Sequence, residues 1–108
     1  MQNNNNNAEI SQRYTTQELA HIEIYGKTGR ILSKMGNLSR SGALFEVMNA
    51  NGSFKKGDLA RVTVRLKSLN KIHVVDCEVV WSKGPSVGVQ FLNKDELQDK
   101  LANYVLNR

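Results

Sequence analysis

Residues 36–47 read GNLSRSGALFEV. A carboxamide, two hydroxyls and a guanidinium stand close together at Asn37, Ser39, Ser41 and Arg40, and Gly42 closes the group. Ala43, Phe45 and Val47 then share one face of an alternating apolar strand. Asn and Gly are turn formers, and a strand-connecting turn in which Asn and Ser bond their own backbone explains part of this. It does not explain why so many hydrogen-bonding groups converge on one short loop. Their chemistry is that of holding a polar ligand. The chain shows no nucleophile elbow, phosphate-cradling glycine loop or zinc-binding helix motif, so it is not expected to be an enzyme. His21 and His73 lie far apart with no third ligand type nearby, which argues against a metal site or a catalytic pair. Cys77 falls on an apolar strand face and is expected to pack there.

The elements that must position this loop are strands. Ala20, Ile22 and Ile24 alternate with His21, Glu23 and Tyr25. YGKTGR supplies glycines 26 and 29 for a hairpin turn, and residues 30–36 run as a second strand. The third strand carries Ala43, Phe45 and Val47. NANGSFKKGD at 49–58 reads as a loop. Ala60, Val62, Val64 and Leu66 alternate with Arg61, Thr63, Arg65 and Lys67, the clearest strand signal in the chain. SLN at 68–70 reads as a hairpin connection. KIHVVDCEVVW then changes phase: Ile72 and Val74 share one face, whereas Val75, Cys77, Val79 and Trp81 share the other. A bulge near Val74–Val75 is the expected cause, and Trp81 is expected in the core. KGPS makes the next turn, and Val87, Val89 and Phe91 form the last strand. Asn93 and Glu96 make a capping box, followed by a stripe of Leu97, Leu101, Tyr104 and Val105. Six short antiparallel strands favour a small closed β-barrel, which removes unpaired edges, with a C-terminal α-helix over part of it. Residues 1–12, with NNNNN at 3–7, read as a disordered Asn-rich tail; 13–108 read as a single domain, with the barrel at about 19–92 and the helix at about 94–107.

With 108 residues the chain suits one domain. Its net charge is +5 and its pI about 9.6, which permits an anionic partner. Before Lys27 the sole cation is Arg13; from Lys27 onward 14 Lys and Arg face seven acids, so the basic character belongs to the folded body. Arg61, Arg65 and Lys67 line the polar face of one strand, but few aromatics accompany them, and nucleic acid is not the expected partner. One cysteine excludes an internal disulfide and suits a reducing compartment. No apolar run is long enough to span a membrane, and no signal-peptide pattern begins the chain, so a cytoplasmic location is expected.

NLSRSG fits the pattern Asn/Asp-x-Ser-x-x-Gly through Asn37, Ser39 and Gly42. CEVVW and, after a short turn, VGVQFL follow downstream. With the order of strands and the terminal helix, the chain resembles a PilZ domain, the bacterial receiver of cyclic di-GMP, from about Arg13 to Phe91. The resemblance implies a six-stranded antiparallel PilZ-type barrel and a ligand with two phosphates and two guanines. Guanine offers N7 and O6 to an arginine fork and N–H donors to carbonyl acceptors. The ligand-binding residues so implied are Arg13, Asn37, Ser39, Arg40 and Gly42. Asn37 accepts through its amide oxygen, Ser39 donates to phosphate or accepts from a base, and Gly42 permits a tight turn or a close approach to the ligand. No cofactor or metal is implied. The departure is the family's Arg-x-x-x-Arg segment before the first strand. Here AEISQRYTTQELA holds Arg13 alone, with Gln17 or Glu9 in the partner position; the Glu9 register is preferred because Tyr14 then follows the second position. Arg40 stands in the same loop and can compensate.

The expected function is therefore a cyclic di-GMP-binding PilZ-type signalling module. Its N-terminal segment folds across the barrel when ligand arrives, and it acts in trans on a protein partner. The family's outputs are motility, surface polysaccharide and attachment, and nothing in the chain selects among them. The alternative, favoured by the missing arginine, is a PilZ-fold adaptor that has lost the nucleotide and works by protein–protein contact.

Overall fold

Alternation is what builds the barrel wall. In LARVTVRL the apolar residues Ala60, Val62 and Val64 turn inward and are at most 6% exposed, while Arg61 and Arg65 face solvent. The computed structural model describes residues 14–15, 18–48, 54–66 and 70–106. Its strands are β1 (Tyr14–Thr15), β2 (Leu19–Ile24), β3 (Ile31–Leu38), β4 (Gly42–Val47), β5 (Leu59–Leu66), β6 (Lys71–Lys83) and β7 (Ser86–Leu92), followed by helix α1 (Lys94–Leu106). All pairings are antiparallel. From β2 the sheet runs through β5, β6, β7 and β4 to β3, which returns to β2. Six strands thus close on themselves, the architecture expected of the sequence. The short β1 adds to the far end of β3, with Tyr14 opposite Leu38 and Thr15 opposite Asn37.

Ile22, Met35, Phe45, Val62, Cys77, Val79 and Val87 fill the barrel interior. Burial pushes the Cys77 thiol up to about 12. Ser33 is the buried polar residue, and its hydroxyl donates to the Ala20 carbonyl at 3.3 Å. Turn glycines adopt the left-handed backbone that side chains resist, with φ of 89° and 100° at Gly26 and Gly29. A second cluster forms where α1 meets the barrel: Leu97 and Leu101 pack with Leu59, Leu92 and Tyr25. The capping box forms as expected. Glu96 N donates to Asn93 Oδ1 at 2.8 Å, and Asn93 N donates to Glu96 Oε1 at 2.9 Å. Lys100 ties the helix to Glu78 of β6 at 3.1 Å. No helix among the described residues is long and apolar enough to cross a membrane. The Asn-rich tail, the side chains of Tyr104 and Val105, Lys67 and most of the two expected loops at 49–58 and 68–70 lie outside the described residues.

Two expectations about β6 need correction. No bulge interrupts it at Val74–Val75, because β5 and β6 pair without a break from Leu59–Glu78 to Leu66–Lys71. Ile72 and Val74 keep the outward phase opposite Arg65 and Thr63, and are 61% and 58% exposed. The phase change in the sequence marks apolar residues on the outside of the wall. The bulge lies further on: Val79 opposes Val89, Trp81 opposes Gly88, and Val80 is the extra residue. It turns Trp81 outward to 43% exposure, so the tryptophan is not in the core.

Replacing Asn93 with Ala removes one half of the capping box and is expected to cost about 1 kcal/mol. Thermal denaturation should show a melting temperature lower by about 5 °C, with the barrel's circular dichroism otherwise unchanged.

Candidate functional site

The loop at 39–41 leaves β3 and enters β4 through a tight turn. Ser39 N donates to the Gly42 carbonyl at 2.9 Å, and Ser39 Oγ donates to the same oxygen at 3.2 Å. Phe91 N donates to the Ser41 carbonyl at 2.8 Å, which ties the loop to β7. The Ser39 hydroxyl is thus engaged by its own turn, and what it retains for a ligand is acceptor capacity.

Just before this loop, β3 carries a bulge of its own. Met35 opposes Phe45, whereas Asn37 opposes Leu44, so Gly36 is the extra residue. Met35 and Phe45 point into the core. Without the bulge Asn37 would follow Met35 inward by simple alternation; with it, Asn37 joins Leu44 on the outer face. The same argument applies across the barrel wall to Trp81. The outward row reads Asn37, Leu44, Gly88 and Trp81, directly opposed across β3, β4, β7 and β6. Two bulges, at Gly36 and Val80, hold the two ends of the row.

Along this row runs an open groove of about 450 Å³, within the usual range for small-molecule sites. Asn37, Ser39, Ser41, Gly42, Trp81 and Gln90 contribute to its lining, and none of the residues that line it is a carboxylate. Gly88 is what opens it: a Cβ there would run into the indole of Trp81, which lies over the glycine. Gly42 closes the tight turn and also sits against β7. A Cβ there would collide with the Val89 carbonyl, so the glycine lets β4 approach β7.

The structure therefore brings Asn37, Ser39 and Gly42 together at one groove. Arg40 does not line it; its exposed side chain leaves the loop between Ser39 and Ser41, which do, and makes no ion pair with a described residue. Arg13 lies outside the described residues, as do Glu9 and Gln17. The residue that follows it, Tyr14, pairs with Leu38, beside Asn37. Sequence reasoning missed Trp81 and Gln90, and it placed Ser41 in the polar loop without assigning it to the site. The signal for Trp81 was its glycine partner at 88, since an aromatic residue paired with glycine across a sheet covers that glycine.

A second polar cluster sits on the outer wall away from the groove. Tyr25 donates its hydroxyl hydrogen to Asp76 at 2.7 Å, and Arg61 donates to the Tyr25 oxygen at 3.2 Å. Arg61 lies 3.6 Å from Asp76 and over the tyrosine ring. Burial and the bond to Asp76 push the tyrosine hydroxyl above its ordinary range. Arg61 is thus committed to holding β2, β5 and β6 together beside α1, which breaks up the cationic strand face expected from the sequence.

A sequence profile of the family described as the PilZ domain matches residues 11–107. The chain belongs to the PilZ domain family. A search of curated proteins by sequence finds no match. Among solved structures it is similar to the PilZ domain of CeSA from a cellulose-synthesizing bacterium, with a TM-score of 0.66 and 12% identity over 89% of this chain and 94% of that one. A Legionella protein, Lpg0364, aligns at a TM-score of 0.46 and 17% identity, over 88% of this chain and 92% of that one. At 12% identity the CeSA likeness concerns the fold alone.

Two glycine substitutions separate the roles in this PilZ groove. Gly42→Ala forces β4 away from a backbone carbonyl and is expected to lower stability by about 1–3 kcal/mol in chemical denaturation. Gly88→Ala meets a side chain, which can swing away. Its expected mark is increased acrylamide quenching of Trp81, the single tryptophan, with a smaller loss of stability than Gly42→Ala.

Proposed function

We propose that the groove binds cyclic di-GMP and that the chain is a signalling module of the PilZ type. The observation that carries this is the single outward row, which sets a hydrogen-bonding amide at one end and an exposed indole at the other. A purine dinucleotide needs both: a flat apolar surface for a base and polar groups for its edges. Guanine stacks on Trp81 across Gly88, and Asn37 accepts from the Watson–Crick edge through its amide oxygen. Ser41 donates to a phosphate. Arg40 reaches over the rim as a forked donor to phosphate or to guanine N7 and O6. Arg13 joins from the segment that precedes β1, whose pairing to Leu38 and Asn37 leads the chain to this side of β3. Ordering of that segment on the ligand transmits the signal to a protein partner in trans.

A second reading is favoured by two particular observations. The Ser39 hydroxyl is engaged by its turn, and the N-terminal segment has one arginine where the family has two. A hydrogen bond to a charged group contributes about 1.5–3 kcal/mol, or roughly one to two decades of affinity. A chain without the second arginine that cannot recover this through Arg40 is an adaptor with a PilZ fold and no nucleotide.

Calorimetry with cyclic di-GMP decides between them. Saturable heat, accompanied by a change in Trp81 fluorescence, is expected. Trp81→Ala should weaken binding by about tenfold, in keeping with 1–3 kcal/mol for stacking a base on an aromatic ring. Asn37→Ala and Arg40→Ala should each weaken it by a comparable factor. Flat traces at large ligand excess would establish the adaptor reading. Equal affinities for wild type and Arg40→Ala would remove that side chain from the site.

A further inference from the structure

We propose that the open edge of β6 at residues 71–75 is a docking site for an extended partner segment in which branched apolar residues alternate with carboxylates. The proposal concerns a surface separate from the groove and does not depend on nucleotide binding.

The backbone comes first. Val79 N donates to the Asp58 carbonyl at 2.8 Å, and Gly57 N donates to the Val79 carbonyl at 2.7 Å, so both polar groups of Val79 face the β5 side. Pairing between β5 and β6 has no register break, so residues 71, 73, 75 and 77 do the same. The alternate residues 72, 74, 76 and 78 therefore turn their N–H and C=O groups the other way. Asp76 and Glu78 meet Leu92 and Gln90 of β7 there. β7 ends at Leu92, and the chain turns into α1. Among the described strands none lies beside Ile72 and Val74 on that side. Their two N–H and two C=O groups form an edge that no described strand occupies, the template on which an extended segment adds as a strand.

The side chains then set the partner's chemistry. Ile72 and Val74 are exposed on the outer face, next to Arg65 and Thr63. A strand laid against the edge places alternate residues beside them, and branched apolar residues cover them best. Its intervening residues fall on the other face, beside Lys71 and His73, both exposed. Lys71 makes no ion pair with a described residue, so carboxylates suit that row. A second copy of this chain is the poorer occupant. It would bring Lys71 and another +5 of net charge to the same edge.

The experiment titrates the ¹⁵N-labelled full chain, without nucleotide, with a blocked peptide of alternating Glu and Val, and separately with its Lys–Val counterpart. Saturable amide shifts centred on Ile72 and Val74 are expected with the Glu peptide, and at least tenfold weaker binding with the Lys peptide. Val74→Pro deletes one edge donor while leaving the bonds to β5, and should weaken the Glu peptide at least tenfold. Lys71→Glu, which touches no core residue, should reverse the charge preference and serves if the proline variant does not fold. Unmoved amides at 72 and 74, equal response to both peptides, or concentration-dependent shifts of the same amides without any peptide would each overturn the proposal, the last in favour of self-association.

Discussion

Two inserted residues decide which side chains this barrel presents on its outer wall. A strand with strict alternation would send both Asn37 and Trp81 into the interior, where an unpartnered amide is costly and an indole would overfill a core of Val, Ile and Phe. The extra residues at Gly36 and Val80 invert that outcome and aim the two side chains onto the outer wall. Because each bulge is locked by a strand pair, the separation of amide and indole is set by backbone geometry. The groove is a consequence of the sheet, and it is preorganised to the extent that the sheet is.

The glycines complete this arrangement by absence of side chains. At 42 the limiting partner is a backbone carbonyl, which cannot yield, so the residue determines whether β4 can pair with β7 and hence whether the ring closes. At 88 the limiting partner is the indole itself, so the residue determines where Trp81 lies. One glycine of the motif therefore serves the fold, whereas a glycine outside it serves the surface. A pattern that unites Asn37, Ser39 and Gly42 mixes a groove-facing amide, a turn-stabilising hydroxyl and a close-packing position.

Local signals were legible in the sequence where local physics decided them. The capping box at Asn93 and Glu96 needs only a short stretch of backbone, and it forms as read. The inward alternation of Ala60, Val62 and Val64 was equally plain. The bulge in β6 was misplaced because the apolar pair Ile72 and Val74 imitates a phase change; that their edge stays open depends on β7 stopping at Leu92, eighteen or more residues away in the chain. Trp81 was assigned to the core because hydrophobicity alone favours burial. Its actual position follows from pairing with Gly88 across a turn and from the bulge at Val80, neither of which periodicity encodes. The Tyr25, Arg61 and Asp76 cluster joins the turn after β2 to two strands and was invisible for the same reason.

Charge placement follows from the same geometry. Asp76 is engaged by Tyr25 and Arg61, Glu78 by Lys100, Glu23 by Arg30, and Glu96 by the helix cap. These acids hold the barrel wall, a hairpin and the helix, and none of them lines the groove. Arg40 is left beside the groove without an ion-pair partner among the described residues. The charge left there is a cation, whereas Arg61, the most conspicuous strand cation, is paired with Asp76. An exposed guanidinium in high dielectric contributes little by itself, and its interactions strengthen only where water is excluded from around it. The outer wall thus presents an exposed indole on β6 and, in the loop before β4, a guanidinium with no ion-pair partner among the described residues.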